Sequence, residues 1–196
     1  MSTRTRAAVV AGAATLSLTG LTGCDLIAQH APLPTLEPTT ASTPAETKQE
    51  RTIRLDKEAA EKAYTLVSAE GDRIARAGGT LKPTAVLGAN AGGFYLKVQM
   101  NQFRFLKSKN YRADSAPSTT VTANKGWSAK EIGLTACEDA SKVRLLDKSG
   151  KEVEADRPRR FVQTLTATKL DGRWKITNGD SKIVKNFHNE GGCSNL

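Results

Sequence analysis

Apolar residues recur at helical spacing behind Asp56: Ala60, Ala63, Tyr64, Val67, Gly71, Ile74 and Ala75 form one stripe. Lys57, Glu58, Glu61, Lys62, Glu70, Asp72, Arg73 and Arg76 fill the other side, as on a solvated helix face. Asp56 is the predicted N-cap, and Gly78-Gly79 the stop, because glycine takes the left-handed conformation that ends a helix. Residues 80–92, with Pro83 and several glycines, predict a loop or short turns. The segment 94–106 satisfies two patterns. Phe94, Leu96, Val98 and Met100 alternate like a strand, whereas Leu96, Met100, Phe103 and Leu106 make a helical stripe. Length and polar filling favour a helix ending near Asn110.

From Ser118 the period becomes that of a strand. Residues 118–122, 131–137, 142–146, 160–170 and 173–178 predict strands, with turns at 138–141 and 147–150. Asp171-Gly172 carries the strongest hairpin signal in the chain. Residues 181–187 extend the last strand or begin the tail. Helices followed by an antiparallel meander predict an α+β fold: N-terminal helices packed on a curved, cone-like antiparallel sheet.

A different pattern precedes this domain. Arg4 and Arg6 are followed by an uncharged, mildly apolar run over residues 7–21. The run is too short to span a bilayer, which needs about 20 apolar residues. It ends in Leu21-Thr22-Gly23-Cys24, an aliphatic residue, two small residues and a cysteine. This arrangement resembles the signal peptide of a bacterial lipoprotein. The resemblance implies cleavage after residues 1–23 and lipid attachment at Cys24, with acyl chains such as palmitate. Two such chains hold a protein stably on a membrane, at about 0.8 kcal/mol per buried CH₂. The expected location is the extracytoplasmic face of the cell membrane. Residues 24–52 hold the lipidated cysteine and a stretch with four of the seven prolines and many threonines, which predicts a disordered tether. Residues 53–196 predict one globular domain.

Charge adds a partner class. Lys and Arg number 29 against 20 Asp and Glu, a net charge of +9. Loss of residues 1–23 removes Arg4 and Arg6 and no acid, leaving 27 basic against 20 acidic side chains, near +7. The excess is spread along the chain, which suits solubility and contact with an anionic envelope polymer, a lipid surface or a protein partner. The basic-aromatic motifs of nucleic-acid binders are missing, so no nucleic acid is expected.

Of the three cysteines, Cys24 is assigned to lipid, which leaves Cys137 and Cys193. Export predicts a disulfide between them. It closes a loop of roughly 57 residues, worth about 4 kcal/mol in chain entropy. The competing reading, a redox or catalytic thiol, needs a CxxC spacing or a paired histidine, and the sequence has neither.

The helices, the meander, Cys137-Glu138-Asp139 and the Leu170 to Ile176 hairpin together resemble the nuclear transport factor 2-like fold, as found in small domains of actinobacterial lipoproteins. That resemblance implies a cone closed by helices, in relatives that include isomerases, cyclases, dehydratases and non-catalytic modules; fold alone does not choose among them. It also implies sheets that pair into homodimers through their exposed face. Enzymes of this kind need an acid/base pair inside an apolar cone. His30 lies in the tether and His188 in the tail. Tyr64, Tyr95 and Tyr111 read as core residues. Adjacent Glu138 and Asp139 read as a solvated turn. No catalytic, cofactor or metal residues are assigned, and no HExxH, GxSxG, SxxK or phosphate-loop motif occurs. The expected function is a non-catalytic binding or interaction module of the envelope; the alternative is an extracytoplasmic isomerase- or cyclase-like enzyme.

Overall fold

Residues 45–154, 159–183 and 193 are described by the computed structural model. The signal motif Leu21-Thr22-Gly23, the lipid site Cys24, most of the tether, His30 and His188 lie outside the described residues. The chain divides into Met1–Thr43 and Pro44–Leu196, and every described residue belongs to the second unit.

Helix α1 spans Lys48–Arg76. It starts about two turns before Asp56. Its N-cap is Thr47, whose hydroxyl accepts from the Glu50 amide at 3.2 Å while the Glu50 carboxylate accepts from the Thr47 amide at 2.8 Å. This reciprocal capping box satisfies two otherwise orphaned donors. Residues 48–52, expected at the end of the tether, are therefore helical. Gly79 ends the helix at φ +84°, and a Cβ there would collide with the backbone of Phe103. Glycine lets the exit of α1 lie against the next long helix.

Within the predicted loop, Ala85–Asn90 form the short helix α2. Helix α3, Gly93–Lys109, follows and closes on Asn110 in the left-handed conformation. The helical pattern of 94–106 wins over the strand pattern because Tyr95, Met100 and Phe103 all reach the core.

The main sheet has the order β2-β3-β5-β6, all antiparallel: β2 Ser118–Ala123, β3 Glu131–Asp139, β5 Arg160–Leu170 and β6 Arg173–Ile183. Asp171 and Gly172 both have positive φ, as the hairpin signal requires. A register shift opposite Thr166/Ala167 leaves Thr177 as a bulge in β6. Two predicted elements differ. The expected strand 142–146 contributes only β4, Leu145–Leu146, which pairs with β1, Arg112–Ala113, off the main sheet. Asp114 holds it there, accepting from the Arg144 amide at 2.8 Å and its guanidinium at 2.6 Å. Glu138 and Asp139 belong to β3 and not to a turn.

One sheet face is the core. Ile132, Leu134, Ala136, Leu165, Ala167, Trp174 and Ile176 pack against α1 and α3 through Ala60, Tyr64, Val67, Met100 and Phe103. The opposite face carries Thr120, Thr122, Thr135, Thr164 and Thr166, by the strand alternation and register. Cys137 lies on that outer face, bonded to Cys193 with a Cα–Cα distance of 5.6 Å, and the pair is buried with Val162.

Candidate functional site

Beside its core stripe, α1 carries Tyr64, Ser68, Gly71, Asp72 and Ala75, which border a cavity of about 480 Å³. Helix α3 contributes Tyr95, Val98, Gln99, Gln102 and Phe103; the sheet contributes Glu138, Phe161, Gln163, Gly179 and Ser181. The rim comes from residues around β1 and β4, among them Ala113, Pro117, Ala140 and Val143. The volume lies within the range of small-molecule sites, and the mixture of apolar walls with a few convergent polar groups is typical of them.

Local sequence explains how this space stays open. Gly71 is in the interior of α1, where it costs about 1 kcal/mol relative to alanine. A Cβ at Gly71 would meet only the Phe103 ring, at an ordinary 3.5 Å. Gly179 does the opposite: a Cβ there would stand 2.7 Å from Leu165 and 3.3 Å from Tyr95. Its absence lets the Tyr95 ring lie against β6.

The ionisable groups that line the cavity are carboxylates and phenols. Burial pushes the Asp72 carboxyl up to about 6, against the opposing charge of Arg76. No hydrogen bond reaches that carboxylate from another described residue. Gln163, itself buried, donates to the Glu138 carboxylate at 3.3 Å. Tyr64 is 1% exposed and Tyr95 7%, yet neither hydroxyl forms a hydrogen bond with a described residue, and both rings border the cavity. Burial pushes the pKa of the Tyr64 hydroxyl far above the usual phenol range, reinforced by Tyr95, Glu138 and Asp72; that of Tyr95 is raised by burial, then by Glu138 and Asp72. Both phenols therefore stay protonated. Among the described residues, no lysine, arginine or histidine lines the cavity.

The other end of α1 is closed by an acid of a different kind. Asp56, the predicted N-cap, accepts from the indoles of Trp174 (3.0 Å) and Trp127 (3.3 Å) and from the Lys169 ammonium (2.9 Å). Lys169 also lies over the Trp174 ring, 5.4 Å from its centre. Burial raises the Asp56 carboxyl, but the bonds from Lys169 and Trp174 and the Lys169 charge outweigh it, so the carboxyl ends below its ordinary value. Glu61 is drawn inward likewise, accepting from the Ala123 amide at 2.6 Å.

The predicted disulfide lies on the far side of β3 from the cavity, because Cys137 and Glu138 are neighbours on one strand. Asp139 points away from Glu138 and pairs with Arg160 at 2.9 Å. Tyr111, on the rim of α3, stacks edge-on with Phe105. Sequence reasoning misses Asp72, Glu138 and Gln163 as cavity residues. The signal for Asp72 is the spacing Tyr64, Ser68, Asp72, with Gly71 and Ala75 beside it: small and polar residues flanking an apolar stripe. Among the described residues, no group of three or more His, Cys, Asp or Glu is placed to hold a metal, and no helix is long and apolar enough to cross a membrane.

No family model matches the chain. No curated protein matches it significantly. Solved structures similar to it include the intermembrane-space region of the chloroplast protein ARC6, at 17% identity and a TM-score of 0.45, covering 64% of this chain and 97% of that one. A calcium/calmodulin-dependent protein kinase II association domain from Xanthomonas campestris matches at 19% identity and a TM-score of 0.28, over 74% of this chain and 94% of its own. An NTF2-like designed protein matches at 14% identity and a TM-score of 0.27, over 68% and 99% respectively.

Proposed function

We propose that this chain is an extracytoplasmic binding module, lipid-anchored at Cys24 on the cell membrane, that holds a small molecule in the cone of a nuclear transport factor 2-like domain. The observation that carries the reading is the cavity of about 480 Å³ between α1, α3 and the sheet, with two buried phenols and two carboxylates turned toward it. A protein optimised for stability alone would fill such a space, because interiors pack to near-crystalline density. The anchor reading rests on Leu21-Thr22-Gly23-Cys24 behind a charged, then apolar, leader. The spread basic charge outside the cone suits contact with an anionic envelope polymer or a protein partner. The threonine-lined outer face gives little apolar drive for a homodimer.

One observation favours a second reading. Asp72, with its carboxyl near 6, shares the cone with protonated Tyr64 and Tyr95, the kind of pairing that an isomerase or cyclase uses to move a proton. Native mass spectrometry of the full chain carrying Cys24→Ser, purified gently from its own host, tests both. A co-purifying small molecule supports a ligand-binding cone. Its conversion on incubation favours the enzyme. A bare chain from host extract, unchanged when that extract is added back, overturns the ligand-binding reading. Palmitate labelling of the wild-type chain, lost in Cys24→Ala, tests the anchor separately.

A further inference from the structure

Asp72 sets a carboxylate with no hydrogen-bond donor among the described residues at the wall of the cavity, in a protein that is basic as a whole. The chain as a whole is basic, at +9. The cavity holds two carboxylates, Asp72 and Glu138, and among the described residues no cation. Its remaining polar groups are hydroxyls and amides, which accept as readily as they donate. The Asp72 carboxylate receives no hydrogen bond from a described side chain, and the Tyr64 and Tyr95 oxygens are unpartnered although the residues are more than nine-tenths buried. An anionic ligand would face repulsion with no donor strong enough to offset it. A neutral apolar ligand would leave a half-desolvated carboxylate without a partner. A cation with N–H donors satisfies the carboxylate and the phenol oxygens together. Val67, Val98 and Phe103 add apolar wall to the same cavity.

We propose that the cone binds a small amphipathic organic amine in its protonated form, its nitrogen facing Asp72 with Tyr64 and Tyr95 alongside and its apolar body against Val67, Val98 and Phe103. This rests on the reading of the cone as a ligand site and names the chemistry it selects. The titratable groups that line the cavity with Asp72 are Tyr64 on its own helix, Tyr95 on α3 and Glu138 on β3, and Arg76, one turn further along α1, supplies an opposing charge. Both phenols stay neutral, so Asp72 is the group whose ionisation sets the affinity in mildly acid solution. Protonation of Asp72 removes its attraction, so the amine binds more weakly as pH falls through about 6.

The test is calorimetric titration of the full chain carrying Cys24→Ser with three probes that share a phenyl body: 2-phenylethylamine, 2-phenylethanol and 3-phenylpropionate. Amide NMR shifts locate the binding. The amine is expected to bind at least tenfold more tightly than the alcohol, with the carboxylate weakest. Shifts should centre on Tyr64, Asp72 and Tyr95. Asp72→Asn should cut the amine's affinity about tenfold and leave the alcohol's within twofold. Should that variant fold poorly, the wild-type chain decides: the amine's affinity should fall several-fold between pH 7.5 and 5, and the alcohol's should not. Equal or tighter binding of the alcohol or the carboxylate in the cone overturns the cation and leaves the binding module standing. Binding of none of the three, or binding outside the cone, overturns the proposal. In that case native mass spectrometry with host extract separately decides whether the cone binds anything.

Discussion

Asp56 and Asp72 sit on one helix, roughly 24 Å apart along its axis at 1.5 Å per residue, and they are used in opposite ways. Asp56 has both carboxylate oxygens engaged: two indole N–H groups and an ammonium converge on it, and its carboxyl is held below the usual range. It joins α1 to the β2–β3 connection and the β5–β6 hairpin at the sealed end of the fold. Asp72 is also drawn from water, but no donor meets it, and its carboxyl rises to about 6. The first arrangement is what folding selects, a buried charge fully paired. The second lowers stability for no structural return, and such sites cluster where binding or chemistry happens. The glycines repeat the contrast. Gly179 is required by packing, whereas Gly71 weakens a helix beside open space.

The largest expected effect concerns the staple behind the open end. Replacing Cys137 and Cys193 together by alanine should lower the unfolding free energy by about 4 kcal/mol in denaturant titration. Hydrogen exchange should rise first in β3 around Cys137, with the Asp56 end less affected. Asp56→Ala comes next: it strands the buried Trp174 indole and the partly buried Trp127 indole and should cost about 3 kcal/mol, read as a fall in thermal midpoint with α1 still helical.

Asp72→Asn should act in the other direction. In the folded state this carboxyl holds its proton more tightly than in the unfolded chain, so its contribution to stability falls as pH rises from about 4 to 6. The asparagine variant should flatten that decline and gain about 1 kcal/mol at pH 7, the small value expected for a charge half screened by solvent. Asp56 has the opposite slope, because its folded carboxyl is more acidic than its unfolded one: its contribution is present above the unfolded value and lost as pH falls through the folded one. The smallest effect is Gly71→Ala, which should stabilise α1 by roughly 0.5–1 kcal/mol, seen as a raised thermal midpoint, while narrowing the cone.

The apolar stripe of α1, the helical choice for 94–106, the Asp171-Gly172 hairpin and the pairing of Cys137 with Cys193 are legible, because each depends on local periodicity, turn chemistry or the small number of cysteines. The acids of α1 were not. Asp56 reads as an N-cap, and Glu61, Glu70 and Asp72 share a polar side that predicts solvent, yet Asp56 meets Trp174, Glu61 meets the Ala123 amide and Glu70 is buried against Arg73. The partners of Asp56 and Glu61 lie more than sixty residues away and leave no trace in a helical period. Glu138 was misplaced for a related reason. Glu138-Asp139-Ala140-Ser141 has turn composition, but β3 runs on to Asp139, paired with Arg160, which puts Glu138 on the cavity side, and the turn comes only at Ser141. A cavity is a property of how elements meet, and its only local sign here was a run of small residues beside Tyr64.

The most direct measurement is a side-chain carbon NMR titration that follows the carboxyls of Asp56 and Asp72 in the same sample. The account predicts a midpoint near 6 for Asp72, falling when 2-phenylethylamine is bound, and one below 3.8 for Asp56. Two carboxyls titrating together near the ordinary value, with no response to the amine, would contradict it.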